Sequence, residues 1–553
     1  MSFRKYLALF SALFLLVLSL LNGCRTVSKS AARPPAVPAS PILFSNRTSQ
    51  AGLNFSLGHN GKSPLTILDT TGCGAAFLDY DGDGHLDIFL VGSPRCALFR
   101  NRGDGTFEDV AKKMGINAEG VFMGVAVGDV DGDGRPDLFI SGYGKNVLYL
   151  NRPSGFIDAT KAAGLMSRNP YDWAVSAVFA DFDGDGHLDL AIGHYVTFTP
   201  KTLQFCTFES VKGSCPPYYY ESQSLAVYRG NGHGGFVDTT KAWGLDKGHG
   251  ANLGLAAADY DGDGRTDIYV ANDGQPADLW RNTGKGFENR GGESGTAYNQ
   301  DGKEQAGMGA DWGDYDGDGR LDLVVTTFQN EPRALYRNLG NGQFQYSSNL
   351  AGIAAPTLNR LGFGVAFADF DQDGSPDLLF ANGHVQDTIN LFQPPATYKQ
   401  KLQCFHNEKG VFKEVSEGCG AGFSEAIVGR GVAIGDYDND GRPDALVVDA
   451  EGKPLLLHND SPLRSWLGVL LIGKLGKRDA IGSKVILTTD GKTQVREIQT
   501  GRGYLSSSDP RALFGLGETP KSALLTVIWH GGKTLQVPIN KFSRYVTIEE
   551  TPK

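Results

Sequence analysis

This 553-residue chain carries none of the short motifs that announce a catalytic centre. It has no GxSxG elbow, no Walker loop, no HExxH and no dinucleotide fingerprint, so the sequence gives no foothold for the chemistries those motifs support. Cysteine is scarce, at seven residues, and no CxxC spacing joins any of them, which sets aside zinc ribbons and dithiol redox chemistry. Positive charge is outnumbered, 52 Lys and Arg against 62 Asp and Glu, and forms no basic stripe, so nucleic acid is not an expected partner. The apolar run from Tyr6 to Leu21 is short for a membrane span.

What the chain has instead is one acidic loop written seven times. The copies begin at Asp79, Asp129, Asp181, Asp259, Asp314, Asp369 and Asp436, and the first reads DYDGDGHLD. Positions 1, 3, 5 and 9 are Asp in every copy. The remaining carboxylates are therefore Asp81, Asp83 and Asp87; Asp131, Asp133 and Asp137; Asp183, Asp185 and Asp189; Asp261, Asp263 and Asp267; Asp316, Asp318 and Asp322; Asp371, Asp373 and Asp377; and Asp438, Asp440 and Asp444. Four carboxylates within nine residues repel one another unless a hard cation with oxygen ligands joins them, and Ca2+ takes six to eight oxygens in flexible geometry. Glycine at position 6, Gly84 in the first copy, permits the turn that aims the oxygens inward. The loop lacks the distal Glu of an EF-hand, and strand-like runs flank it rather than helices. About seven structural Ca2+ ions are expected. Copy six carries Gln372 and Ser375 but keeps all four Asp, so it is expected to bind as well.

Each loop joins two short apolar runs as a hairpin, as in GAAFLDYDGDGHLDIFLVG. A third run follows (ALFRN at 97, ALYRN at 334), then a fourth (FEDVAKKMGI at 107). Four strand-like elements repeated at this spacing predict a β-propeller, which leaves only short, protected edges. The seventh unit stops at its third element, LLLHN at 455, and a counterpart of the missing fourth stands at the start, ILFSNRTSQAGL at 42. The expected fold is all-β: a seven-bladed propeller over 42–460, its last blade completed by the N-terminal strand, followed by a small β domain over 463–550.

The GxAxxD-acidic-loop unit resembles the FG-GAP/VCBS repeats of integrin alpha-subunit propellers. The stretches RDAIGSKVILTTDG, GRGYLSSSDP, LFGLG and VIWHGG resemble the ASPIC/UnbV domain. Together they make residues 42 to 548 similar to the cartilage-acidic-protein-like (ASPIC/UnbV) family and its bacterial relatives. The resemblance implies a calcium-rigidified propeller and assigns no chemistry to the C-terminal domain. Arg102-Gly103-Asp104 spells RGD, but it sits in NRGDGTF, the turn written NLGNGQF at 338, and reads as a turn.

Residues 1–23 read as a targeting segment ending in Leu-Asn-Gly-Cys, which resembles a bacterial lipobox with Cys24 as the lipidated residue. Arg25 after the Cys favours the outer membrane by family-level rules, and the proline-rich 24–41 reads as a disordered tether. The chain is thus expected to be extracytoplasmic and held to the membrane through lipid. The other cysteines form local pairs, expected as disulfides: Cys73 with Cys96, Cys206 with Cys215, and Cys404 with Cys419. The formal charge of −10 sits in the acidic loops, and bound Ca2+ would bring the protein close to neutral.

The calcium loops share one face, so the opposite face carries the long inserts, Tyr195 to Ser222 and Val385 to Gln400. Loops on a rigid scaffold are where binding residues concentrate. The candidates there are Tyr171, Asp172, Trp173, His194, Tyr195, His249, Asn272, Asp273, Asn382 and His384, beside Tyr218, Tyr219 and Tyr220. Aromatics among Asn, Asp and His suit a sugar or peptide groove; packing of the inserts onto the ring is the structural alternative. A transition-metal cluster of His194, His249 and His384 is a further alternative at these positions, though no local ligand spacing supports it. The expected function is a recognition or adhesion module for glycan or protein. The alternatives are a carbohydrate-active lyase or hydrolase with its site on the insert face, and an assembly scaffold.

Overall fold

A computed structural model describes residues 40–58, 61–473 and 480–551. The expected signal segment, Cys24 and most of the expected tether lie outside them.

Among the described residues, seven sheets, each built on four antiparallel strands, carry the acidic loops, and each loop joins the first two of those strands. The first runs Ala75–Leu78, Asp87–Leu90, Ala97–Asn101 and Phe107–Asp109. The pairing Leu78↔Asp87 sets the loop's last Asp opposite the residue just before its first, which is what folds nine residues into a closed cup. The fifth sheet repeats this with Gly313↔Asp322. The first strand of each sheet packs against the first strand of the next, and that of the seventh against that of the first, so the sheets form a closed ring. The seam is the pairing of Phe44–Asn46 with Leu455–Asn459, in register Phe44↔Asn459, which supplies the fourth strand the seventh repeat lacks. Buried Val, Ile, Leu, Phe and Ala fill the space between blades.

The C-terminal region packs a three-stranded sheet, centred on Ser465–Ile472, against a four-stranded one holding Lys484–Thr489 and Ala523–Ile528. Its core includes Leu467, Val485, Phe514, Leu525 and Trp529. One hairpin leaves this domain and enters the ring's axis. Ser506–Ser507 pairs parallel to the inner strand of the first blade, Ser507↔Ala76, and Gly503 bridges Ala310 of the fifth. The Leu505 carbonyl accepts the Val125 N–H of the second blade. Residues 501–507 therefore plug the axis.

Glycine makes room for the plug. A Cβ on Gly74 would stand 1.8 Å from the Leu505 carbonyl oxygen, and one on Gly309 2.2 Å from the Phe363 oxygen and 3.0 Å from that of Gly503. Each stands five residues before the first Asp of its loop, so a glycine there is fixed by crowding at the axis.

The cysteine pairs divide. Cys206 and Cys215 form a disulfide that closes the hairpin Phe205–Phe208/Val211–Ser214. Cys73, Cys96, Cys404 and Cys419 are free and buried, which corrects the expected three bridges. Burial pushes the Cys73 and Cys96 thiols up to about 12. The Cys419 thiol donates to the Val415 carbonyl at 3.3 Å.

Candidate calcium loops and candidate ligand cavity

Backbone N–H groups preshape each acidic loop. In the first copy, Asp79 Oδ1 accepts the N–H of Gly82 at 2.7 Å and of Asp83 at 3.1 Å, and Oδ2 accepts that of Gly84 at 3.1 Å. Asp83 Oδ1 accepts the His85 N–H at 3.0 Å. Asp87 ties the cup to the sheet, its Oδ2 taking the Tyr80 N–H at 3.0 Å and its Oδ1 the Asn101 N–H at 2.8 Å.

The donor set fits a hard dication. Ligand atoms of Asp79, Asp81 and Asp87 lie within 4.8 Å of one another, as do those of Asp129, Asp131 and Asp137 and of Asp181, Asp183 and Asp189. Burial, reinforced by neighbouring loop carboxylates, pushes Asp87, Asp137 and Asp322 up to about 8. Asp131 Oδ1 and Asp371 Oδ1 are buried with no hydrogen-bond partner among the described residues. A cation held in the loop would give these two oxygens the partner they lack.

The third strand contributes two residues the motif does not reveal. One is a cation over positions 3 and 5: Arg100 Nε reaches Asp81 at 2.6 Å and Nη2 reaches Asp83 at 3.1 Å, and Arg281 repeats the pair on Asp261 and Asp263. His458 does so in the seventh copy, 3.0 Å from Asp438. The other is the Asn that ends the strand. Asn338 Nδ2 donates to the Leu321 carbonyl at 3.0 Å and, across the blade boundary, to that of Tyr260 at 2.9 Å. Asn101, Asn151, Asn282, Asn407 and Asn459 make the same crossing. Gly230 holds the position in the third blade, where the Gly234 N–H reaches the Val130 carbonyl at 3.3 Å. The recurring R/H-N ending of ALFRN, DLWRN, ALYRN and LLLHN was the available signal.

The C-terminal domain sits on this loop face, a contact the sequence reading did not anticipate. Lys484 Nζ lies 2.7 Å from Asp259 Oδ2, and the Asp259 N–H donates to Glu497 at 3.1 Å. His530 approaches Asp181 at 3.4 Å. Arg511 donates to the Asp436 carbonyl at 2.7 Å and to Asn439 at 2.6 Å. The first residues of three loops, Asp181, Asp259 and Asp436, thus contact the C-terminal domain.

On the opposite face, most of the ten candidates are structural. Trp173 is fully buried, edge-on to Tyr195 at 5.1 Å. Asp172 is buried between Arg168 at 2.7 Å and His194 at 3.6 Å; burial opposes its charge, but these partners hold it well below the usual carboxylate range. Asn272 donates to Asp278 and the Pro276 carbonyl, and Asn382 accepts from Arg333. His384 is buried beside Phe328, and burial together with Arg430 pushes it down to about 3. His249 pairs with Asp278. The three histidines take separate partners and do not form a metal cluster. Tyr171 remains exposed.

Tyr195 and Asp273 do come together, at a cavity of about 230 Å³ over the mouth of the axis. The Tyr195 hydroxyl donates to Asp273 Oδ2 at 2.5 Å. Burial pushes Asp273 up to about 6, the Tyr195 hydrogen bond opposing and the Glu331 charge adding to the rise. Phe328, Phe363 and Tyr504 complete the walls, so the tip of the axial plug lines the cavity from the inside. The disulfide hairpin is clamped beside it by Gln386, which accepts the Ser214 N–H at 2.9 Å and donates to its carbonyl at 2.6 Å. Tyr218 and Tyr219 stand exposed on the rim, ring centroids 4.9 Å apart.

A closed ring of four-stranded sheets with acidic hairpin loops along one face defines a propeller of acidic-loop repeats. The FG-GAP-like repeat family matches residues 79–140, 129–192, 218–270, 259–325 and 314–380, and the ASPIC and UnbV family matches 473–553. The chain belongs to the FG-GAP-like repeat proteins that carry an ASPIC and UnbV domain. It is 27% identical to mouse (Mus musculus) cartilage acidic protein 1 over 364 residues, 54% of either chain, and 26% identical to the human (Homo sapiens) protein over 347 residues, 51% of either. The chain thus spans about half the length of these relatives. Among solved structures it is similar to an Agrocybe aegerita lectin recognising non-reducing terminal N-acetylglucosamine, at 18% identity and TM-score 0.40, covering 68% of this chain and 86% of that one. It is also similar to the extracellular domain of the one-component system BT4673 of B. thetaiotaomicron, at 8% identity and TM-score 0.39, covering 93% and 58%.

Proposed function

We propose that this chain is an extracytoplasmic recognition module, held to a bacterial outer membrane through lipid on Cys24, with Ca2+ in its acidic loops and a glycan or protein ligand on its insert face. The observation that carries the reading is the cavity over the axis. It is concave, largely apolar and aromatic, with the few convergent polar groups that fix a ligand's orientation. The metals serve rigidity: loops preshaped by N–H groups and stapled between blades hold the insert face in one geometry.

The test is a glycan array probed with the protein freed of its lipid anchor, in calcium and again in chelator. Binding to one glycan class that chelator abolishes supports the reading. Silence from folded, calcium-loaded protein removes simple glycan recognition and leaves a protein partner.

A second reading has one observation in its favour. Asp273, pushed up to about 6 beside the Glu331 carboxylate, is the kind of group a carbohydrate-active lyase or hydrolase uses as an acid. Product analysis on any bound glycan separates the two, since a recognition module returns the glycan unchanged.

A further inference from the structure

We propose that the cavity over the axis takes a small organic cation bearing alkyl groups, with Asp273 and Glu331 as its counter-charges and the rings of Tyr195, Phe328 and Tyr504 as its walls. This deepens the reading of the insert face as a recognition surface and rests on it.

Size comes first. A dry engineered cavity of about 150 Å³ accommodates benzene, so one of about 230 Å³ admits a substituted ammonium group with its attached carbons. Charge comes next. The residues lining the cavity include two carboxylates and no Lys or Arg. Two buried guanidiniums stand behind the walls without lining it, and the Arg333 charge acts on Glu331 but not on Asp273. Arg333 donates to the Thr327 carbonyl at 2.8 Å and to Asn382 at 3.0 Å. Arg430 donates to the carbonyls of Thr70, Gly383, Gly429 and His384 and lies 3.9 Å over the Phe363 ring. Asp273 is acted on by its own burial, by the Tyr195 hydroxyl and by Glu331, another negative charge. A cation in the cavity supplies Asp273 with the positive charge that these neighbours do not.

The walls decide what kind of cation. A primary ammonium brings three N–H donors, each of which needs an acceptor once water is excluded. Acceptors are few. Asp273 Oδ2 already takes the Tyr195 hydroxyl, and Glu331 Oε2 takes the Ala306 N–H at 3.0 Å. An alkylated ammonium has fewer or no N–H groups to satisfy, presents carbon to the aromatic walls and keeps its charge, which is the chemistry aromatic cages recognise.

Choline chloride is the probe, titrated into calcium-loaded protein at fixed ionic strength by calorimetry, against its neutral isostere 3,3-dimethyl-1-butanol and against methylammonium. The expected result is saturable choline binding, with the isostere and methylammonium each at least tenfold weaker. Asp273→Asn should weaken choline at least tenfold while leaving the isostere unchanged. Tyr195→Phe, which keeps the charge and frees Oδ2, should leave choline binding within a fewfold of wild type, so the charge effect is readable even where Asp273→Asn folds poorly. Equal affinity for choline and its isostere, or no saturation by choline in folded protein, overturns the inference. Charge-independent glycan binding on the array together with silence toward choline removes this inference and spares the recognition reading. Choline binding with a silent array does the reverse for glycan recognition.

Discussion

The phenol of Tyr545 donates a hydrogen bond to Oδ2 of Asp436 across 2.6 Å, joining the last strand of the C-terminal domain to the first carboxylate of the seventh acidic loop. Asp259 and Asp181 are engaged in the same way by Lys484 and His530. The loop face is therefore an interdomain interface, and whatever occupies the loops acts on the C-terminal domain as well.

Removal of the Tyr545 hydroxyl tests that interface. A hydrogen bond to a charged group contributes about 1.5–3 kcal/mol. Tyr545→Phe should lower stability by an amount in that range and speed amide exchange in Arg544–Glu549. Unchanged exchange in this strand would show the bond to be incidental.

Calcium should stabilise the protein by mass action. A site saturated at a hundredfold excess over its Kd adds about 2.7 kcal/mol to the folded state if the unfolded chain does not bind. Calorimetry in calcium and in chelator should give a clearly lower melting temperature in chelator. Coincident melting curves would argue against occupied loops.

Asn338 links two blades through buried carbonyls. Asn338→Ala leaves both without this donor, at a cost of about 2–4 kcal/mol. Arg320→Ala, which removes a half-exposed ion pair with Asp318 and one bond to the Asn338 carbonyl, should cost less. Urea midpoints of the two variants give the comparison, and equal losses would contradict the role assigned to Asn338.

At the axis, Gly74→Ala places a methyl 1.8 Å from a backbone oxygen of the plug. Backbone cannot swing aside as a flexible side chain does, so the cost should reach at least the ~1–3 kcal/mol of overpacking. Exchange protection at residues 501–507 should fall with it. Protection kept at wild-type level would mean that the plug does not sit where it is described.

His249 gives a pH signature outside the loops. Its hydrogen bond to Asp278 at 2.5 Å raises its pKa above 6.5, with partial burial opposing. The protonated form is favoured by folding. The pair's contribution is full below the unfolded value near 6.5 and is lost as pH rises through the folded value, and its half-exposed position keeps it small. NMR titration should show the elevated pKa, and Asp278→Asn should bring it down.

The parts of this molecule that were legible in the sequence are those written repeatedly in one place. Asp79 to Asp87 is a local arrangement, so its spacing fixes its geometry, and the truncated repeat at 455 pointed to its partner at 42 because a ring tolerates no missing strand. The illegible parts depend on distant segments. GRGYLSSSDP has no apolar period, yet it fills the axis because backbone pairing with several blades needs none. Lys484, Arg511 and His530 are scattered in sequence and meet the loop face only after two domains dock. On the insert face, Trp173 and Asp273 read alike as aromatic and polar loop residues. Only packing separates the fully buried Trp173 from Asp273 at the cavity wall.

The ring's seam also bears on how the chain is made. Phe44–Asn46 is synthesised early but has no partner until Leu455–Asn459 has been added. The axial hairpin comes later still. During synthesis the blades stand as an open arc whose first strand waits for the last blade, and the hollow at the centre is filled only by residues from near the far end of the chain. A ribosome stalled before residue 501 would therefore carry a propeller with an empty axis and no inner wall to its cavity, so a truncated product should be deficient on the face farthest from the domain it lost.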